Sequence, residues 1–252
     1  MKTLKYIVAT TFLALSLASC DNVSEPDRFV PTEIVPQRAI LIEEYTGQRC
    51  TNCPDGHAAI RDITGQLGDS VVAVGIHAGD LAVPTPMGFR TPTADEYYKD
   101  AGQPALPTAV INLQTPPLMV TDWGAAINRL IITPTPFTVK AQGESDGNNF
   151  NIKVAVSAGE DYKGKLMVWI CENDIVSMQL DHGTVVPDYV HNHVFRAAAT
   201  DDIWGESVSL SAHKAQYFTF SKKIEDYWDA KNLYVVAFLY NDAGVAQVTQ
   251  TH

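Results

Sequence analysis

The stretch EEYTGQRCTNCPDGHAAI, residues 43–60, decides how the front of this chain is read. An apolar run rich in Ile and Leu, residues 39–45, leads into it as a strand, and Thr46-Gly47 marks a turn. Beyond the cysteines, Ala59, Ile60, Ile63 and Leu67 recur at helical spacing, and Gly68 ends the helix. Cys50-Thr51-Asn52-Cys53 therefore occupies a strand-to-helix junction. There the unpaired N–H groups and the positive end of the helix dipole lower a thiol pKa, and Arg49 adds a positive charge. In such a pair Cys50 is the attacking thiol and Cys53, one turn on, the resolving one. Two other uses stay open, a permanent structural disulfide and half of a metal site. The latter lacks a second pair or suitably spaced histidines. His57 follows Cys53 by four residues and shares its helical face.

Working outward, residues 71–76 form a short apolar run expected of a strand buried on both faces. Thr93-Ala94-Asp95-Glu96 has the form of a capping box that opens a short helix ending near Gly102. Pro104-Ala105-Leu106-Pro107 leads into a strand over residues 108–113. A short strand through Val120 follows, and Thr121 caps a last helix with Trp123, Ile127, Leu130 and Ile131 on its inner face.

Thr133-Pro134-Thr135-Pro136 reads as a domain linker, because prolines stop the helix and stiffen the joint. Beyond it the pattern becomes all-β. Residues 137–143 and 150–157 flank an Asp146-Gly147 hairpin turn. Further strands are expected at 165–171, 193–199, 207–211, 217–221, 233–240 and 245–251. Many short strands without a long helix suggest a β-sandwich of the immunoglobulin-like type. The inter-sheet disulfide of antibody domains is impossible, since Cys171 is the only cysteine there. It lies in an apolar run, as a buried small hydrophobe does. His191 and His193, two apart on a strand, share a face and are weak metal candidates with Asp188 or His182.

The front end sets the compartment. Lys2 and Lys5 precede an apolar run over residues 7–17 that is too short to span a bilayer. It reads as a secretory signal peptide, residues 1–19. Leu17-Ala18-Ser19-Cys20 is similar to the lipobox of bacterial lipoproteins, which makes Cys20 the lipidated N-terminus and residues 20–37, with Pro26, Pro31 and Pro36, a tether. Loss of the signal leaves 16 basic against 29 acidic residues, a formal charge of −13. That disfavours nucleic acid and anionic headgroups as partners. An exported chain meets an oxidising compartment, in which the close pair can form a disulfide.

The order strand, C-x-x-C helix, strand, helix, Pro-Thr strand, strand, helix over residues 38–133 resembles the thioredoxin fold. The resemblance implies that Pro107 is the cis proline facing the cysteines. It also implies that Glu44, six residues before Cys50, is a buried carboxylate relaying a proton to the resolving thiol. A one-residue shift of the strand would select Glu43. The tryptophan and Gly-Pro of typical thioredoxins are replaced by Arg49 and Thr51-Asn52, which puts potential and substrate range in question.

The lipobox, residues 43–54 and Tyr189-Val190-His191-Asn192-His193-Val194-Phe195-Arg196 together resemble the outer-membrane protein twenty-eight family of lipoproteins. Those proteins join a thioredoxin-like domain to an immunoglobulin-like one. The resemblance implies an outer-membrane location facing the periplasm or cell surface, although Asp21 after Cys20 is an inner-membrane signal in some bacteria. The sequence thus predicts an α/β thioredoxin-like domain (38–133) followed by a β-sandwich (137–252). The expected activity is thiol–disulfide exchange on exported proteins by Cys50, Cys53, Pro107 and Glu44, with a redox partner and no bound cofactor. The rear sandwich is expected to mediate binding or homodimerisation; the alternative is a non-catalytic outer-membrane or surface lipoprotein that binds a protein or glycan, with the disulfide only holding the turn.

Overall fold

The structure is a computed structural model that describes residues 37–251. The expected signal peptide, Cys20 and all of the tether but Gln37 lie outside the described residues.

β1 (Ile40–Thr46) is buried along its whole length. Period-two alternation splits it between two cores. Ile40 and Ile42 pack with Ile60 of α1 (Cys53–Leu67) and with Trp123 and Ile127 of α3 (Trp123–Ile131). Leu41 and Tyr45 face the opposite side, with Ala94 and Tyr97 of α2 (Pro92–Asp100). β2 (Val71–His77) runs parallel to β1, in register from Ile40↔Val71 to Thr46↔His77. β3 (Thr108–Ile111) pairs antiparallel on the other side.

Local signals were displaced in three places. α2 is capped by Thr91, whose side chain accepts from Ala94 N at 3.1 Å, rather than by Thr93. Pro92 explains the shift, because proline favours the first helical position and so places the cap at Thr91, two residues before the expected Thr93. β3 stops at Ile111, since Asn112 and Leu113 take φ values of 58° and 52°. α3 begins after Asp122 with no side-chain cap, and Thr121 lies in a preceding 3₁₀ turn.

The rest is β. β4 (Phe137–Ser145) and β5 (Asn149–Ala158) form the expected hairpin. Its turn is tied by Asp146 Oδ1, which accepts from the N–H groups of Asn148 and Asn149. β6 (Tyr162–Glu172) is followed by a hairpin the sequence did not announce, β7 (Ile175–Asp181) and β8 (Thr184–His191). β9 (Val194–Ala198), β10 (Glu206–Leu210), β11 (Lys214–Lys223), β12 (Leu233–Asn241) and β13 (Gly244–Gln250) complete the chain.

The molecule is mostly β, in several sheets. One eight-stranded sheet runs β13-β12-β6-β9-β2-β1-β3, with β10 also paired to β6. Strands from before and after the expected linker thus share a sheet. They meet at one residue pair, Gly75↔Val194, beside a 2.7 Å bond from Gly75 N to His193 O. Thr135 of the linker is itself buried and donates to the Ala246 carbonyl at 2.8 Å. A core containing Trp169, Phe195 and Phe238 joins the two parts, and each such fully buried aromatic contributes roughly 1.5–3 kcal/mol. The three-stranded sheet β11-β5-β4 covers the other face of β6 and β12, through Ile152, Val154, Val168 and Val235.

Candidate functional site

Cys50 and Cys53 are joined by a disulfide at the entrance to α1. Cys50 closes a turn through its N–H to Gly47 O at 3.0 Å, and Cys53 is the first helical residue. Gly47 is required here, because a Cβ would fall 2.6 Å from Leu81 O, where the segment after β2 crosses the turn. Arg49 N donates to the same carbonyl at 2.8 Å. The Asn52 side chain makes no cap bond, so the helix start keeps donors free for a thiolate.

The Leu106–Pro107 peptide is cis, and Pro107 is buried beneath α1. Gly56, three residues into the helix, has room for no side chain. An added Cβ would lie 2.5 Å from Glu44 Oε1, 3.1 Å from Trp123 and 3.2 Å from Pro107 Cβ. The structure thus selects Glu44, and not Glu43, as the carboxylate under the cysteine helix. Glu43 points to the opposite face.

Glu44 is 2% exposed, and its Oε1 has no hydrogen-bond partner. Burial pushes its carboxyl pKa well above the ordinary range. His57 Nε2 lies 3.8 Å from that oxygen and 3.0 Å from Thr46 Oγ1, while its Nδ1 meets Tyr189 OH at 2.8 Å. Burial, then the nearby His191, Arg61 and His193, lower the His57 pKa to about 3. Burial thus disfavours the charged form of both partners, against an ion pair between them.

The β7–β8 hairpin covers this site. Gln179, fully buried, donates through Nε2 to Cys50 O at 3.0 Å and Gly47 O at 3.3 Å. The backbone N–H groups of Leu180 and His182 reach Gln48 O and Thr51 O at 2.8 and 2.9 Å. Gly183 N reaches Thr51 Oγ1 at 2.9 Å. Cys50 is left 3% exposed and Cys53 fully buried. His182 also lies 3.5 Å from Asp55 in the first turn of α1. The Asp181 carboxylate, and then Asp55, raise its pKa.

His191 and His193 do not share a strand face. β8 ends at His191, and the chain turns through Asn192 with His193 at φ 60°. Both nevertheless line a cavity of about 190 Å³ with Glu44, Thr46, His57 and His77. Neither ring nitrogen of His77 or His191 has a well-aligned hydrogen bond, and burial lowers both pKa values. Among the described residues no three ligands are arranged to hold a metal ion. Cys171 is buried and free, its thiol pushed up by burial. His77, Gln179 and the whole covering hairpin were not anticipated. The available signal was His182-Gly183, at φ 46° and 85°, a turn dipeptide between two alternating runs.

Fold and site together define a mostly β protein that holds one covered disulfide at a helix N-terminus among its described residues. The chain belongs to the family described as outer membrane protein Omp28, which matches residues 94–252. The matched part contains Pro107 and the hairpin but neither Cys50 nor Cys53. HBP35 of Porphyromonas gingivalis is similar in fold, at a TM-score of 0.69 and 14% identity over 85% of this chain and 75% of that one. A structural-genomics protein of Agrobacterium tumefaciens reaches a TM-score of 0.50 at 17% identity, over 87% and 95% of the two chains. A domain of the outer membrane lipoprotein Omp28 from Porphyromonas gingivalis is 20% identical over 46% of this chain and 87% of that one, but its TM-score of 0.33 supports no likeness of fold. No curated protein matches the chain.

Proposed function

We propose that this chain is an outer-membrane lipoprotein, anchored through lipid on Cys20, whose Cys50–Cys53 pair exchanges disulfides with exported proteins. In this reading residues 38–133 are thioredoxin-like, and the rear sheets form an immunoglobulin-like sandwich. The observation that carries it is Glu44. A buried carboxyl group with an oxygen left unbonded costs on the order of 1–3 kcal/mol. A disulfide that only staples the turn needs no such group beneath it.

The step balances as follows. A substrate thiolate attacks Cys50 Sγ and breaks the Cys50–Cys53 bond, and Cys53 leaves as a thiolate that takes the proton of Glu44. A second substrate thiol, its proton passing back to Glu44, then attacks the mixed disulfide. It leaves with a new substrate disulfide, and Cys50 is released as a thiolate, which takes up from solvent the proton that the first substrate thiol gave up. Two electrons move from substrate to the cysteine pair, and a disulfide-bearing partner reoxidises it. Pro107 shapes the groove beside the pair. The hairpin must move aside for a protein substrate to reach Cys50.

A second reading is favoured by that same cover. The pair is then a staple in a lipoprotein that binds a protein or glycan. Trapping separates the two. Cys53→Ser leaves Cys50 free, and exchange predicts a stable mixed disulfide with an oxidised peptide, seen by mass and lost in Cys50→Ser. Absence of the adduct in both variants, with the fold intact, favours the staple.

A further inference from the structure

On the opposite face of β1 from the disulfide lies a separate cavity of about 400 Å³, within the range of small-molecule sites. Its walls include Tyr97, Trp169, Trp204, Phe238 and Tyr240. Three carboxylates complete it: Glu43 from β1, Asp100 from the end of α2 and Asp242 from the β12–β13 turn. No lysine or arginine lines it.

The polar tips of the aromatic walls are already committed. Tyr97 OH donates to Ile203 O at 2.5 Å and accepts from Trp169 Nε1 at 3.1 Å. Tyr240 OH donates to Trp204 O. What remains to face the space is aromatic ring, carboxylate and the Thr115 and Asn241 side chains. Glu43 is 5% exposed, and among the described residues nothing donates a hydrogen bond to it. A neutral sugar would leave three carboxylates around the space without a countercharge. A cation needs a carboxylate and ring faces, which this wall offers.

We propose that this cavity binds a small alkylammonium cation, with Glu43 as its counter-ion and the Trp and Tyr rings as its cage. The site is independent of the disulfide chemistry and does not rest on it. Burial and the Asp100 charge raise the Glu43 pKa to about 8, so the empty site is mostly protonated at neutral pH. Cation binding then expels that proton. The other titratable groups facing the carboxyl are Tyr45, Tyr97, Asp100, Tyr240 and Asp242, and Asp202, which acts on Tyr97 and Tyr240, is held by Lys165 at 3.7 Å. None of these tyrosines ionises below pH 9, because all are pushed up by burial.

The test is calorimetric titration of the full-length protein in nonionic detergent with choline, with tetramethylammonium and with 3,3-dimethylbutan-1-ol, the uncharged isostere of choline. The expected result is saturable binding of both cations, at least about tenfold weaker binding of the isostere, and an affinity that rises about tenfold per pH unit up to about pH 8. Glu43→Gln is expected to weaken choline at least about tenfold and to flatten the pH profile. Asp242→Asn, on an exposed turn, reports on the mouth if the first variant fails to fold, and should weaken choline about two- to fivefold. No saturable cation binding, equal binding of the isostere, or indifference to Glu43→Gln in a folded protein overturns the proposal. So does tighter binding of a neutral disaccharide than of either cation.

Discussion

Replacing Gly183 by alanine tests whether the hairpin controls the disulfide. Gly183 sits at φ 85°, and a Cβ there meets nothing within 4 Å. The cost is therefore conformational and not steric, about 1–2 kcal/mol for an L-residue in the left-handed region. An isolated two-stranded hairpin is marginal in water, so undocking from Thr51 and melting of β7–β8 are one event. The strain is released on opening, and the open population rises about 5- to 30-fold. Reduction by excess dithiothreitol, quenched with iodoacetamide and followed by mass, is expected to accelerate by that factor when opening is fast relative to attack. Gly147→Ala is a matched control. It has φ 95° and equally open space, but lies in the β4–β5 turn far from the cysteines in the fold. Its rate should stay within about twofold of the parent, since its strain falls on a different local opening unit. Unchanged reduction in a folded Gly183→Ala, or equal acceleration in both variants, would refute the gate.

Other predictions follow from the buried charges. Glu44→Gln should slow exchange by about 10²-fold or more, as loss of a positioned acid–base group does. Because the folded-state pKa of Glu44 is raised, its contribution to stability is full below the ordinary value of 4.5 and is lost as pH rises from there toward the folded value. Urea midpoints across that window should fall in the parent and fall less in Glu44→Gln. Arg196 Nε meets Glu172 Oε2 at 2.6 Å with both side chains 3% exposed, so Arg196→Met leaves an unpaired buried carboxylate and should cost about 3–5 kcal/mol by denaturant unfolding. Removing Glu172 as well should recover part of that loss.

The front of the chain was legible because its signals are local. β1 and β2 are buried on both faces, β1 reading as an Ile- and Leu-rich strand and β2 as an apolar run, and α1 carries a clean helical period ended by Gly68. The choice between Glu43 and Glu44 was not legible. Adjacent residues on a strand face opposite ways, and only register against α1 decides which meets the cysteines. The hairpin escaped because its apolar residues do not form a core. Val176, Val185 and Val190 are 64%, 58% and 49% exposed, and its buried anchor is the polar Gln179. The sheet that crosses from β2 to β9 rests on backbone pairing at Gly75, which leaves no side-chain pattern. His191 and His193 were read as strand neighbours because an alternating pattern does not reveal the left-handed turn between them.

The most direct test of disulfide exchange is the reduction potential of the pair. The chain from Asp21 onward, with Cys171 replaced by alanine, would be equilibrated in a series of thiol buffers, trapped and counted by mass. A midpoint between about −270 and −120 mV, the span of known exchange catalysts, is the predicted result. A midpoint below about −300 mV, where structural disulfides lie, would contradict exchange and make Cys50–Cys53 a staple beneath its hairpin.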